Sequence, residues 1–155
     1  MIEIIAAELQ DAKEILELQR LAYQSEAKLY NDWSLPALTQ TIESLIQELE
    51  RSIVLKTVIN GMIVGSVRAS VDSDICKIGR LIVMPEFQGR GIGTALLERV
   101  EAMQETNVSF ELFTGSKSLR NIQLYQRQGY VMSHTKVLSD SVTLVFLVKK
   151  SKAFF

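Results

Sequence analysis

The sequence predicts a single α/β domain of the α+β kind, with a mixed, mostly antiparallel sheet. Three observations carry this. Three consecutive strand patterns, at 53–59, 62–71 and 75–83, precede the first glycine-rich helix start, whereas a doubly wound parallel sheet alternates strand and helix from its beginning. The last of these strands runs through Met84-Pro85-Glu86-Phe87-Gln88 into Gly89-Arg90-Gly91-Ile92-Gly93-Thr94, an apolar strand joined by a short turn to a helix N-terminus. The length, 155 residues, is that of one domain able to bury an ordinary core.

Taken in order, residues 2–7 read as a short first strand. Asp11 and Glu14 make a capping-box-like start to a helix whose Ile15, Leu18, Leu21 and Ala22 share one face. Ser34 and Pro36 suit the N-cap and first turn of a second helix, with Leu38, Ile42, Leu45, Ile46 and Leu49 as its apolar stripe. Between these helices, Tyr23 to Trp33 is expected to form a loop. Asn60-Gly61 between two apolar runs predicts a hairpin, and Asp72-Ser73-Asp74 turns the chain into the next strand. Ile92, Ala95, Leu96, Val100 and Met103 give the helix after the glycine loop its buried face. A strand at 108–113, a helix at 119–128 closed by Gly129, and strands at 130–137 and 142–148 complete the pattern. The domain is expected to span 1–150, with 151–155 as a frayed tail.

Composition excludes several classes. A net charge of −1 provides no basic footprint for nucleic acid. No apolar run approaches a membrane span, and the acidic start Ile2-Glu3-Ile4-Ile5 is too short for a signal peptide, so a cytoplasmic protein is expected. The single Cys76 forms no internal disulfide and reads as a buried strand thiol. His134, alone on a strand, reads as structural, and no residue set predicts a metal site.

The glycine loop is where chemistry concentrates. Gly89, Gly91 and Gly93 alternate, removing side chains where backbone N–H groups must approach a ligand closely. A helix N-terminus carries roughly +0.5 elementary charge and four unpaired N–H donors, which favours a pyrophosphate. Gly93 is followed by Thr94-Ala95, not Lys-Ser/Thr, which argues against a Walker loop. The G-x-G-x-G spacing, set off from the strand, also departs from a Rossmann fingerprint.

Gln88-Gly89-Arg90-Gly91-Ile92-Gly93 resembles instead the Gln/Arg-x-x-Gly-x-Gly/Ala signature of the GNAT superfamily of N-acetyltransferases. Leu124-Tyr125-Gln126-Arg127-Gln128-Gly129-Tyr130 resembles the Leu-Tyr-x-x-x-Gly-Phe/Tyr block that follows in that family. The resemblance implies a sheet of about seven strands flanked by about four helices, splayed between the fourth and fifth strands. It also implies acetyl-CoA as co-substrate. Backbone groups of Leu81, Ile82 and Val83 would hold the pantetheine arm, with the Val83 N–H polarising the thioester carbonyl. Gln88, Gly89, Arg90, Gly91, Ile92, Gly93 and Thr94 would carry the pyrophosphate, and Tyr125 would protonate the leaving thiolate. Many relatives have an asparagine at the place of Ser118; Asn121, one helical turn later, is the substitute expected here.

One departure concerns the base. Gly79 stands where a glutamate is often found, which leaves Glu111 and Asp32 as candidates. Tyr30, Asp32 and Trp33 would receive a cationic amine through cation–π contact and charge pairing, or the two aromatics would merely pin the second helix to the sheet. The expected activity is transfer of an acetyl group from acetyl-CoA to a small-molecule or peptide amine by direct attack in a ternary complex, there being no nucleophile pair for a covalent route. A homodimer is compatible with this reading; nucleic-acid and membrane partners are not expected. The alternatives are a catalytically silent coenzyme A-binding regulatory domain and a module for another nucleotide.

Overall fold

Asn60 and Gly61 both have positive φ, 51° and 76°, the geometry of a tight hairpin turn whose twist matches its strands. The computed structural model describes residues 2–151. Strands β1 (Ile4–Ala6), β2 (Ile53–Ile59), β3 (Met62–Asp72), β4 (Ile75–Val83), β5 (Ser109–Gly115), β6 (Val131–Val137) and β7 (Thr143–Lys149) form one sheet in the order β1-β2-β3-β4-β5-β7-β6. Every neighbouring pair is antiparallel except β4 and β5, which run parallel and pair only from Ile75↔Ser109 to Lys77↔Glu111. Beyond that point β4 stays paired with β3 and β5 with β7, so each strand is held on its outer side and free on its inner one. The splay expected between the fourth and fifth strands is present.

The helices are α1 (Ala12–Ala22), α2 (Gln24–Tyr30), α3 (Pro36–Thr39), α4 (Ile42–Arg51), α5 (Ile92–Ala102) and α6 (Leu119–Arg127). Adjacent residues of β2 enter opposite sides of the sheet. Val54 joins Ile15, Leu16, Leu18 and Leu45 under α1 and α4, while Leu55 joins Leu96, Leu97 and Val100 under α5. Each fully buried leucine or isoleucine contributes about 1.5–3 kcal/mol, so these two layers fix the sheet between its helices. Cys76 lies in the α5 layer as a buried thiol.

Local expectations needed three corrections. The second helix is divided at Gln40, whose ψ of 135° is extended, and Thr41 rather than Ser34 provides the side-chain cap, its hydroxyl accepting from the Ser44 N–H at 3.2 Å. Breaking there frees Gln40 to bind Gln19, Ser44, Glu48 and Arg68 with its amide, a tertiary gain that outweighs continuous helix. The expected loop from Tyr23 to Trp33 contains α2, ended by Asn31 in the left-handed region. Asp11 and Glu14 do not close a capping box on α1. Asp11 pairs with Lys56 at 2.7 Å, and Glu14 accepts the Ile63 N–H at 2.7 Å, fastening the helix to the sheet.

Ser151 is buried and donates its N–H to Ser109 Oγ at 3.2 Å; the remainder of the tail expected to fray lies outside the described residues.

Candidate active site

The cleft begins with an extra residue in β4. Gly79 pairs with Arg68 and Ile82 with Ser66, so Arg80 and Leu81 together oppose Val67, and Arg80 takes the strain of the bulge at a φ of 50°. The Met84 N–H donates to Val64 O at 2.8 Å, towards β3. Successive peptides of a strand point to opposite sides, so the Val83 N–H is aimed into the gap between β4 and β5. Phe113, Thr114 and Gly115 form the facing wall of a cleft of about 850 Å³.

At one end of the cleft the glycine loop enters α5. Gly89 and Gly91 have φ of 78° and 84°, and a Cβ built on either would meet no heavy atom within 4 Å. Gly91 is the N-cap, so the first-turn N–H groups of α5 have no helical acceptor and lie beside this open space. Gln88, Gly93 and Thr94 share the lining, whereas Arg90 is absent from it and its guanidinium lies 4.9 Å from the Phe87 ring centroid.

Tyr125, on α6, is buried in the lining of the cleft. Burial raises its hydroxyl above the ordinary tyrosine value, with further increments from Tyr23 and the Glu26 carboxylate, so the group stays protonated. Its ring packs 6.2 Å from that of Tyr130, whose own hydroxyl is spent on Glu101 at 2.8 Å.

Around Tyr125 a hydrogen-bonded chain converges on one carboxylate. The Ser118 hydroxyl donates to Glu26 Oε2 at 2.7 Å, and the Tyr30 hydroxyl lies 2.7 Å from the same Ser118 oxygen. A serine has one proton to give, so Tyr30 is the donor to Ser118. Tyr30 in turn accepts the Lys117 N–H at 3.0 Å. Asn121 donates to Thr114 Oγ1 at 3.2 Å and lies 3.5 Å from Glu26 Oε1. Gly115 permits this: a Cβ there would sit 1.9 Å from the Tyr30 hydroxyl.

The structure therefore gathers Leu81, Ile82, Val83, Gln88, Gly89, Gly91, Ile92, Gly93, Thr94, Asn121, Tyr125 and Tyr30 on one cleft. Asp32, Trp33 and Glu111 are not among its lining residues. Glu111 sits at the Lys77 register, where β4 and β5 are still paired. Asp32 accepts hydrogen bonds from Ser141 and Ser34, which hold its carboxyl below the ordinary aspartate value and join the segment after α2 to the β6–β7 turn. Trp33 is 56% exposed. His134 stacks on Phe146 at 4.4 Å, a structural role.

Sequence reasoning passed over Glu26 and the part played by Arg80. The available signal was the spacing of Tyr23, Glu26 and Tyr30, three and then four residues apart, which puts all three on one helical face. Reading the segment as a loop concealed it. Among the described residues, no cluster of histidine, cysteine and carboxylate side chains is arranged to hold a metal, and no helix is long and apolar enough to cross a membrane.

Comparison with known proteins agrees with this geometry. The chain is 29% identical over 133 residues to the UPF0157 protein YqkA of Bacillus subtilis (strain 168); the match covers 86% of the chain but only 38% of that protein's length. Its fold is similar to the ribosomal-protein-S18-alanine N-acetyltransferase of Escherichia coli, with a TM-score of 0.79 at 17% identity, covering 97% of this chain and 94% of that one. It is likewise similar to the PaiA N-acetyltransferase of Thermoplasma acidophilum, solved in complex with coenzyme A, with a TM-score of 0.77 at 18% identity, covering 97% and 99% of the two chains. The sequence pattern of the acetyltransferase (GNAT) family matches residues 12–130, from the first helix through Tyr130, and the chain belongs to that family.

Proposed function

We propose that this domain transfers the acetyl group of acetyl-CoA to a primary amine by direct attack in a ternary complex. The observation that carries the reading is the single cleft shared by the aimed Val83 N–H, the open glycine loop and the protonated Tyr125. The residues present fit coenzyme A. The first turn of α5 with Gly89, Gly91 and Gly93 would hold its pyrophosphate, and the unpaired inner edge of β4 its pantetheine amides.

In the reaction the amine nitrogen bonds to the acetyl carbon, the carbon–sulfur bond breaks, and the amine gives up one proton. The Val83 N–H stabilises the negative charge that develops on the thioester oxygen, a contribution of about 3 kcal/mol for a fixed donor in a water-poor cleft. Tyr125 supplies a proton to the departing sulfur. Glu26, held by Ser118 and Asn121, receives the amine's proton directly or through water. Neither Glu111 nor Asp32 is needed for this step. A catalytically silent coenzyme A-binding domain is the second reading, favoured by the absence of a side chain at Gly79; the carboxylate of Glu26 in the cleft speaks for turnover.

The test is calorimetric binding of coenzyme A together with thiol release from acetyl-CoA across a panel of amines. Saturable thiol release that requires the amine is the expected result. Coenzyme A binding without release for any amine supports the silent domain, and absence of binding overturns both readings.

A further inference from the structure

Arg80 is a cation in the cleft wall that the protein leaves unmatched. It lines the cleft, yet none of the three ion pairs among the described residues includes it. Its Nε is buried and has no hydrogen-bond partner. The neighbouring Arg68 is already neutralised by Glu48 and bound to Gln19, so no local carboxylate is available to share. Tyr23 offers Arg80 its ring, whose centroid lies 5.9 Å from the guanidinium, and a neutral hydroxyl, but no charge. A guanidinium with a buried, unpartnered Nε and no carboxylate of its own is unfavourable until an anion meets it.

The backbone is strained at the same position: Arg80 occupies the left-handed region, a conformation disfavoured for a non-glycine residue. The bulge holds it there, with Gly79 beside it leaving open space in which a built Cβ would meet nothing within 4 Å. The same cleft is lined by one carboxylate, Glu26, which like Arg80 acts on Tyr23, and by the apolar side chains of Leu29, Leu138 and Val142.

Building on the acetyl-transfer reading, we infer that the acceptor carries a carboxylate as well as its amine: an amino acid with an apolar body, its carboxylate on Arg80 and its amine turned towards Glu26. A carboxylate fits a single guanidinium, because the planar fork presents paired donors to two coplanar oxygens.

The experiment titrates coenzyme A-loaded protein with proteinogenic amino acids, each against its own amide, and with phosphoethanolamine. It then measures thiol release from acetyl-CoA for the same pairs. In wild type the best amino acid is expected to bind about 10- to 100-fold more tightly than its amide and to exceed it by a similar factor in kcat/KM, the range for one charge-assisted contact. Arg80→Gln should collapse that ratio towards unity, and Arg80→Lys should retain part of it. Because the readout is a ratio within each variant, a general loss of folded protein does not imitate it.

Equal wild-type affinity for acid and amide overturns the inference. So does an equal loss on both members of each pair in Arg80→Gln, or a preference for phosphoethanolamine. Carboxylate-dependent binding without any thiol release would support the inference and overturn the acetyl-transfer reading. Thiol release from amines with no carboxylate preference would do the reverse.

Discussion

The Tyr30 hydroxyl lies 2.7 Å from Ser118 Oγ, although 88 residues separate the two in the chain. This contact ties the end of α2 to the start of α6, and the same serine donates a hydrogen bond to Glu26. The position of the carboxylate is thereby set by a tertiary hydrogen bond.

Removing that tie should loosen the site as well as the fold. Tyr30→Phe deletes the donor to Ser118 and leaves the Lys117 N–H without its acceptor, a loss of about 1–2 kcal/mol by urea denaturation. A fall in kcat should accompany it, since Ser118, which holds Glu26, loses its own tie to α2. Unchanged stability would mean that water replaces the hydroxyl at no cost.

Glu26→Gln keeps the shape and much of the hydrogen bonding but removes the proton acceptor. The expected loss in kcat/KM is about 10²- to 10⁴-fold, largest at low pH where free amine is scarce. Glu111→Gln and Asp32→Asn, whose side chains lie off the cleft, should change the rate far less. A pH profile that shifts with either of them, and not with Glu26→Gln, would reassign the base.

Tyr125→Phe is expected to lower kcat towards the low end of the range for acid catalysis, about 10²-fold, with coenzyme A affinity nearly intact. A donor with a more acidic leaving thiol should recover part of the loss. Because burial raises the hydroxyl above the ordinary value of 10.0, wild-type kcat should show no tyrosinate-linked fall as pH approaches that value. An alkaline limb present in wild type and absent in Tyr125→Phe would contradict this.

Gly91→Val places a Cβ in the space beside the first turn of α5 and forces a branched residue to a φ of 84°. Coenzyme A affinity should drop at least tenfold by calorimetry, with stability reduced by about 1–2 kcal/mol. Full affinity in a folded variant would move the pyrophosphate elsewhere.

Burial pushes the Cys76 thiol from 9.0 up to about 11, with a smaller push from Glu101. A folded value above the unfolded one means that the contribution to stability is complete below pH 9 and is lost as pH rises towards 11. The loss is about 2–3 kcal/mol. Cys76→Ala, less stable at neutral pH because of its cavity, should show a shallower decline over that interval in urea titrations; parallel curves would place the alkaline sensitivity in other groups.

The sequence by itself determined the features that depend on local chemistry. Asn60-Gly61 turned the hairpin because only such a pair accepts two positive φ angles in succession, and the alternating glycines marked the start of α5 because a helix end without side chains leaves its N–H groups bare. The apolar periodicities placed the strands and the principal helices for the same reason, each being a pattern of nearest neighbours. Tertiary structure alone decided what those elements share. Gln40 broke a helix that its own apolar stripe would have continued, since its amide satisfies buried Arg68 and Gln19. Glu26 became the carboxylate of the cleft through Ser118, 92 residues away, and Glu111 was excluded because β4 and β5 separate only beyond its register. These outcomes rest on contacts between segments distant in the chain, for which local spacing carries no signal.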